Sequence, residues 1–146
     1  GTVHQRTATR LGRLLEPVLP PGVELLHGGA GFELDDSTVL VPDLVVVRSD
    51  TAFDEKVLRP EDVLLAAEVV SPSNARNDLV LKRELYASAG VRDYWILDGR
   101  TTSRITVLTL DAGARRYQVV HEIGPGQTVT LTHPFPVTLT PEELLR

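Results

Sequence analysis

The segment Val63–Val70 (VLLAAEVV) places one carboxylate, Glu68, inside a run of otherwise apolar residues. The run falls well short of the roughly 20 residues needed to cross a bilayer. Its length and β-branched ends suit a strand buried on both faces. Thr38–Val47 (TVLVPDLVVV) is a second run of this kind, read as a central strand that Pro42 kinks or ends. Strands whose two faces both shun water need helices on both sides of their sheet.

The rest of the chain supplies those helices. Val3, Ala8, Leu11, Leu15 and Val18 recur at helical spacing with Arg on the other side, so residues 3–18 should form an amphipathic helix. Pro20-Pro21-Gly22 stops it. Val23–His27 and Phe32–Leu34 read as strands, with turns at Gly28-Gly29 and Asp35-Asp36-Ser37. After Val63–Val70, Ser71-Pro72-Ser73 ends the strand, and Asn74 or Asn77 can cap a helix running to about Ala89. Gly90 is placed to close that helix. Asp93–Leu97 is a third strand, and Arg104–Leu110 with Arg116–Ile123 forms a hairpin about Asp111-Ala112-Gly113. Pro134, Pro136 and Pro141 mark a tail expected to wrap the surface before a last short turn.

These elements predict an α/β (α+β) fold: a mixed sheet flanked by two main helices, with a C-terminal β-hairpin extension. A chain of 146 residues suits one domain, and 42 % hydrophobic with 24 % charged residues is the balance of a folded one. With no Cys, disulfides, thiolate metal sites and cysteine catalysis are excluded. A formal net charge of −5 argues against coating nucleic acid by bulk charge, and leaves a local basic groove open. The basic side chains are lopsided: 13 Arg against two Lys, Lys56 and Lys82.

Three residues stand out. Glu68 would be costly in a buried strand unless paired or bound to a metal; a salt bridge to an Arg, or a strand end reaching solvent, would also answer. Asp43 sits between Val41-Pro42 and Leu44–Val47, where Pro-Asp can equally mark a turn. Lys82 shares a helix face with Asp78, Leu85, Tyr86 and Ala89, which mixes charge with apolar groups. An exposed Asp78–Lys82 pair is the plainer reading, worth a few tenths of a kcal/mol. Taken together, two carboxylates from adjacent strands can bind a hard divalent cation through oxygen. A neighbouring ammonium can then orient an attacking water and offset the charge that develops on a phosphate. The same three residues could instead form a buried ion network with no metal.

At these residues the sequence resembles the PD-(D/E)XK nuclease motif: Pro42-Asp43, then Glu68, then a lysine. The longer pattern Glu68-Val69-Val70-Ser71-Pro72-Ser73, Asp78, Lys82, Tyr86, Gly90-Val91, Tyr94-Trp95-Ile96-Leu97-Asp98 is similar to the Uma-type restriction endonuclease family. His4 followed by a helix, with Pro42-Asp43 further on, fits it too, so the resemblance runs from roughly residue 3 to 140.

The resemblance implies a restriction-endonuclease-like core and a metal-dependent endonuclease acting on nucleic acid, DNA above all. Asp43 and Glu68 would be ligands of Mg²⁺ or Mn²⁺, with the peptide carbonyl of Val69 as a third oxygen. The usual motif puts lysine two residues after the acid, where this chain has Val70, so Lys82 on the following helix takes that role. Asp78, Tyr86 and His4 would support these groups or contact phosphate. Asp98 precedes Gly99 and fits a turn better. Family members carry a strand and a helix before the His4 region, so an N-terminal segment of the full-length protein is expected to be missing. A cytoplasmic protein is expected, with no membrane partner, and cutting both strands of a duplex would favour a homodimer. The alternative is a catalytically inactive nuclease-fold domain that binds nucleic acid or a protein.

Among other features, Arg6, Arg10 and Arg13 form one stripe on the first helix, either a phosphate-contacting face or a solvated one. His27, His121 and His133 show no metal-ligand spacing. Trp95 and Tyr94 read as core packing.

Overall fold

Leu44–Val47 and Val63–Val70 fold into neighbouring strands of one sheet in a computed structural model that describes residues 2–28, 31–35, 37–50, 57–70, 76–111 and 113–145. In chain order the elements are α1 (Thr2–Leu15), β1 (Val23–His27), β2 (Phe32–Asp35), β3 (Thr38–Leu40), β4 (Leu44–Arg48), β5 (Val63–Val70), α2 (Arg76–Ala89), β6 (Asp93–Asp98), β7 (Arg104–Asp111), β8 (Arg116–Ile123), β9 (Val129–Leu131), β10 (Val137–Leu139) and α3 (Pro141–Leu144). Six strands form the main sheet in the order β1-β4-β5-β6-β7-β8. Within this sheet, among the described residues, only β5 and β6 pair in parallel, and α2 lies in the crossover between them, as a parallel pair requires. The expected mixed sheet flanked by helices is what forms.

Period-two alternation sorts the side chains of β5 between two cores. Leu65, Ala67 and Val69 face α1 and the C-terminal segment, in a core with Leu11, Leu15, Leu44, Val46 and Trp95. Ala66 and Val70 face α2, in a core with Phe32, Val45, Tyr86, Tyr94 and Ile96. Trp95 and Tyr94 are therefore packing residues, as their sequence context suggested.

Several expectations change in detail. Thr38–Val47 is two strands, not one: β3 pairs with β2 in a separate two-stranded sheet, while β4 joins the main sheet. Pro42, which has no N–H to give to a ladder, marks the break. The C-terminal tail does not merely wrap the surface. β9 and β10 pair, and Leu131, Phe135, Val137, Leu139 and Leu144 complete the core over α1. The first helix ends at Leu15 and a 3-10 turn carries the chain to Val18; Val3 and Val18 are exposed, and Thr7 joins Leu11 and Leu15 on the buried side of α1. Helix α2 begins at Arg76, so Asn77 lies inside it and is not its cap. Asn74 and the Ser71-Pro72-Ser73 turn lie outside the described residues. No helix among the described residues is long and apolar enough to cross a membrane.

Candidate active site

Two of these details create the site. Leu44 pairs with Ala67, so the register carries Asp43 opposite Glu68. Residues opposite one another in an antiparallel pair point to the same face. Pro42 ends the ladder at that point, and Val69 would otherwise lose its backbone acceptor. The Asp43 carboxylate supplies one: Val69 N–H donates to Asp43 Oδ2 at 2.6 Å. The Asp43 backbone remains tied to the sheet, its carbonyl accepting from Gly28 N–H at 3.2 Å. Its second carboxylate oxygen, Oδ1, lies 3.0 Å from His4 Nε2 at the start of α1.

Glu68 faces α2. Tyr86 and Lys82, one helical turn apart, bracket its two oxygens. The Tyr86 hydroxyl donates to Oε1 at 2.5 Å, and Lys82 Nζ lies 3.6 Å from Oε2. Glu68 is only 4 % exposed. Burial is the main reason its carboxyl is pushed up to about 7; the Tyr86 hydrogen bond and the Lys82 charge oppose this, while Asp43 adds to it by like charge and by hydrogen bonding. Glu68 in turn holds the Tyr86 hydroxyl far above its ordinary range, together with burial, the larger cause.

The sequence-predicted residues thus come together in part. Asp43, Glu68, Lys82, Tyr86 and His4 form one connected cluster. Of the two roles expected for Tyr86, its full burial and its hydrogen bond to Glu68 fit support of that carboxylate and not contact with phosphate. Asp78 lies on α2, and its side chain is outside what is described. Asp98 accepts the Arg100 N–H at 3.0 Å and so serves the turn. The Val69 N–H bond to Asp43 was not foreseen. Its signal is the proline beside an acid at a strand end, which the sequence leaves open between a kink or break, a turn and a metal ligand.

The donor set suits a hard cation with few protein ligands. Among the described residues no group of three His, Cys, Asp or Glu is arranged to hold a metal ion. Asp43 and Glu68 offer two carboxylates, and the peptide of Val69 offers a third oxygen. Its N–H and C=O point to the same strand edge, the one Asp43 occupies. Mg²⁺ is commonly held by one or two carboxylates, with water and substrate phosphate completing the shell. Two like charges kept this close, one of them buried, are what a bound cation would relieve.

Comparison with known proteins bears on this geometry. A family model described as "Uma2: Putative restriction endonuclease" matches residues 1–143. No curated protein matches the chain. Among solved structures, the chain is similar to the crystal structure of "a putative nuclease belonging to DUF820" from Anabaena variabilis ATCC 29413, with a TM-score of 0.70. The two share 16 % sequence identity over 98 % of this chain and 80 % of that one, a likeness of fold. With the match extending over nearly all of its length, the chain belongs to the Uma2 restriction endonuclease family.

Proposed function

We propose that the protein is a divalent-cation-dependent endonuclease that hydrolyses phosphodiester bonds, with DNA as the expected polymer. The observation that carries this reading is the pairing of Asp43 with Glu68 across β4 and β5, with Lys82 on the far oxygen of Glu68. Asp43, Glu68 and the Val69 carbonyl would hold Mg²⁺ or Mn²⁺, which when bound polarises a phosphate and lowers the pKa of water. The chain's own groups do the rest. Val69 N–H and His4 fix the two oxygens of Asp43. Tyr86 fixes Glu68 from beneath. Lys82, partly exposed beside Glu68, is placed to orient the attacking water and to offset negative charge growing on the phosphoryl oxygens. Water oxygen bonds to phosphorus, one P–O ester bond breaks, and the departing oxygen leaves as a hydroxyl after taking up a proton.

The test is cation binding by calorimetry together with cleavage of single- and double-stranded DNA and of RNA. Glu68→Gln should lose cation binding and cleavage together. Lys82→Ala should keep the cation and lose cleavage by about a hundredfold or more. Cation binding unchanged in Glu68→Gln would refute the ligand assignment. A wild type that binds the cation and cuts no substrate would mark a nuclease-fold domain that only binds nucleic acid or protein. No cation binding at all would leave a buried ion network.

A further inference from the structure

The arginine stripe of α1 is not used by the chemistry above. Asp43 lies at one end of a groove of about 710 Å³ that follows α1, with Gln5, Thr9 and Arg13 on the helix side and His27 facing them. From His4 to Glu16 its helical wall spans about 18 Å. By the helical repeat of about 100° per residue, Arg6 lies beside Arg13, the arginine that lines this groove, and both are exposed along its outer rim, while Arg10 is turned further round the helix and half-buried. The helix carries three arginines and no acid. The chain as a whole has a formal net charge of −5, so this basic face is a local exception. The missing side chain at Gly12 is what lets the His27 ring lie against α1, since a Cβ there would come within 2.6 Å of His27 Cε1. Glu16 is the one acid on the helical side, at the end remote from Asp43.

We propose that this groove guides one strand of the nucleic acid into the Asp43–Glu68 centre, with the arginine rim on its phosphates and the groove between Thr9 and His27 receiving its bases. The proposal deepens the hydrolase reading and rests on it for the identity of the polymer. A rim of exposed guanidinium groups suits a phosphate backbone. The groove beside it, open and continuous with the site, offers imidazole and small side chains, surfaces on which a base can lie.

The test is binding of a short fluorescein-labelled single-stranded DNA, followed by anisotropy over a salt series, with chelator present so that no cleavage occurs. Arg6→Ser with Arg13→Ser should weaken binding by about tenfold or more and reduce the salt slope by about 1.4, the value for two lost phosphate contacts on a single strand. Thr9→Trp, which fills the groove and leaves the charge alone, should weaken binding as well. Arg115→Ser with Arg116→Ser, at the opposite edge of the sheet, should change neither quantity. The proposal fails if wild type does not bind, if the Arg6/Arg13 pair binds as wild type does, if Thr9→Trp has no effect, or if the Arg115/Arg116 pair loses as much. In Mg²⁺, wild-type cleavage with an unchanged KM in the Arg6/Arg13 pair would sink the groove and leave the hydrolase reading standing. Binding that follows the groove with no cleavage by wild type would do the reverse.

Discussion

Glu68 owes its properties to where β5 puts it. A carboxyl pushed from 4.5 to about 7 by burial is favoured in its protonated form by the fold. The unfolded chain releases that proton near 4.5, whereas the folded chain keeps it to about 7. The stabilisation from Glu68 is therefore complete below about 4.5 and is lost as the pH rises to about 7, the reverse of an ordinary salt-bridged acid. The loss is on the order of 3 kcal/mol. Glu68→Gln keeps an acceptor for Tyr86 and removes the charge. In chelator, urea unfolding should show the variant more stable than wild type at pH 8 and nearly equal to it at pH 4. A wild type whose stability is flat over this range, or a variant weaker at pH 8, would contradict the account. Residues of this kind are legible from sequence because one charge in an apolar run has few tolerable explanations. What the run does not reveal is the full set of partners: an Arg and Lys82 are both open from sequence, and the structure supplies Lys82 together with the Tyr86 hydroxyl.

Elements decide whether these residues meet. Helix α2 must present Lys82 and Tyr86 to Glu68, and its last turn is held by Gly90 at φ +86°. Gly90 N–H donates to Ala87 O at 3.0 Å and Val91 N–H to Tyr86 O at 3.2 Å, the paired bonds of a Schellman closure. A Cβ at Gly90 would have only an ordinary contact, 3.8 Å from Pro60 Cβ. The cost of Gly90→Ala is therefore conformational, about 1 to 2 kcal/mol. It should appear as a lower urea midpoint at unchanged slope. Gly90→Asn, which tolerates the left-handed region better, should lose less. Equal losses for the two would show that packing, not backbone geometry, sets the cost. The glycine signal, the bounds of β1, β5 and β8, and those of β7 to within one residue are readable because local chemistry decides them. The split of Thr38–Val47 was not, because the choice between a kinked strand and two strands depends on which partners are nearby. The burial of Phe135, Val137 and Leu139 was missed for a similar reason: proline spacing marks irregular backbone and says nothing of what that backbone packs against.

At the scale of the molecule, a break in the sheet, two covering layers and an uneven charge distribution converge on one place. β4 starts just after Asp43, α1 reaches that residue through His4, and α2 reaches Glu68 through Tyr86 and Lys82. Each layer that buries a core also contributes a group to the site, so the site exists only in the assembled fold. A cation that joins Asp43 to Glu68 would bind the folded state alone and would stabilise it by mass action, about 2.7 kcal/mol at a concentration a hundredfold above Kd. Binding requires Glu68 to give up a proton that it holds to about 7, so the cation and the proton compete. The rise in Tm on adding Mg²⁺ should therefore be small near pH 5 and should grow through pH 7 to a plateau above it. Its direction is opposite to the loss of stability that the metal-free protein suffers over the same range. Glu68→Gln has no such proton to release, so its response to Mg²⁺ should be weak and nearly independent of pH. Differential scanning fluorimetry across pH, with and without Mg²⁺, measures both trends in one series. A wild-type response that does not change between pH 5 and pH 8 would separate the cation from Glu68 and would place it elsewhere on the fold.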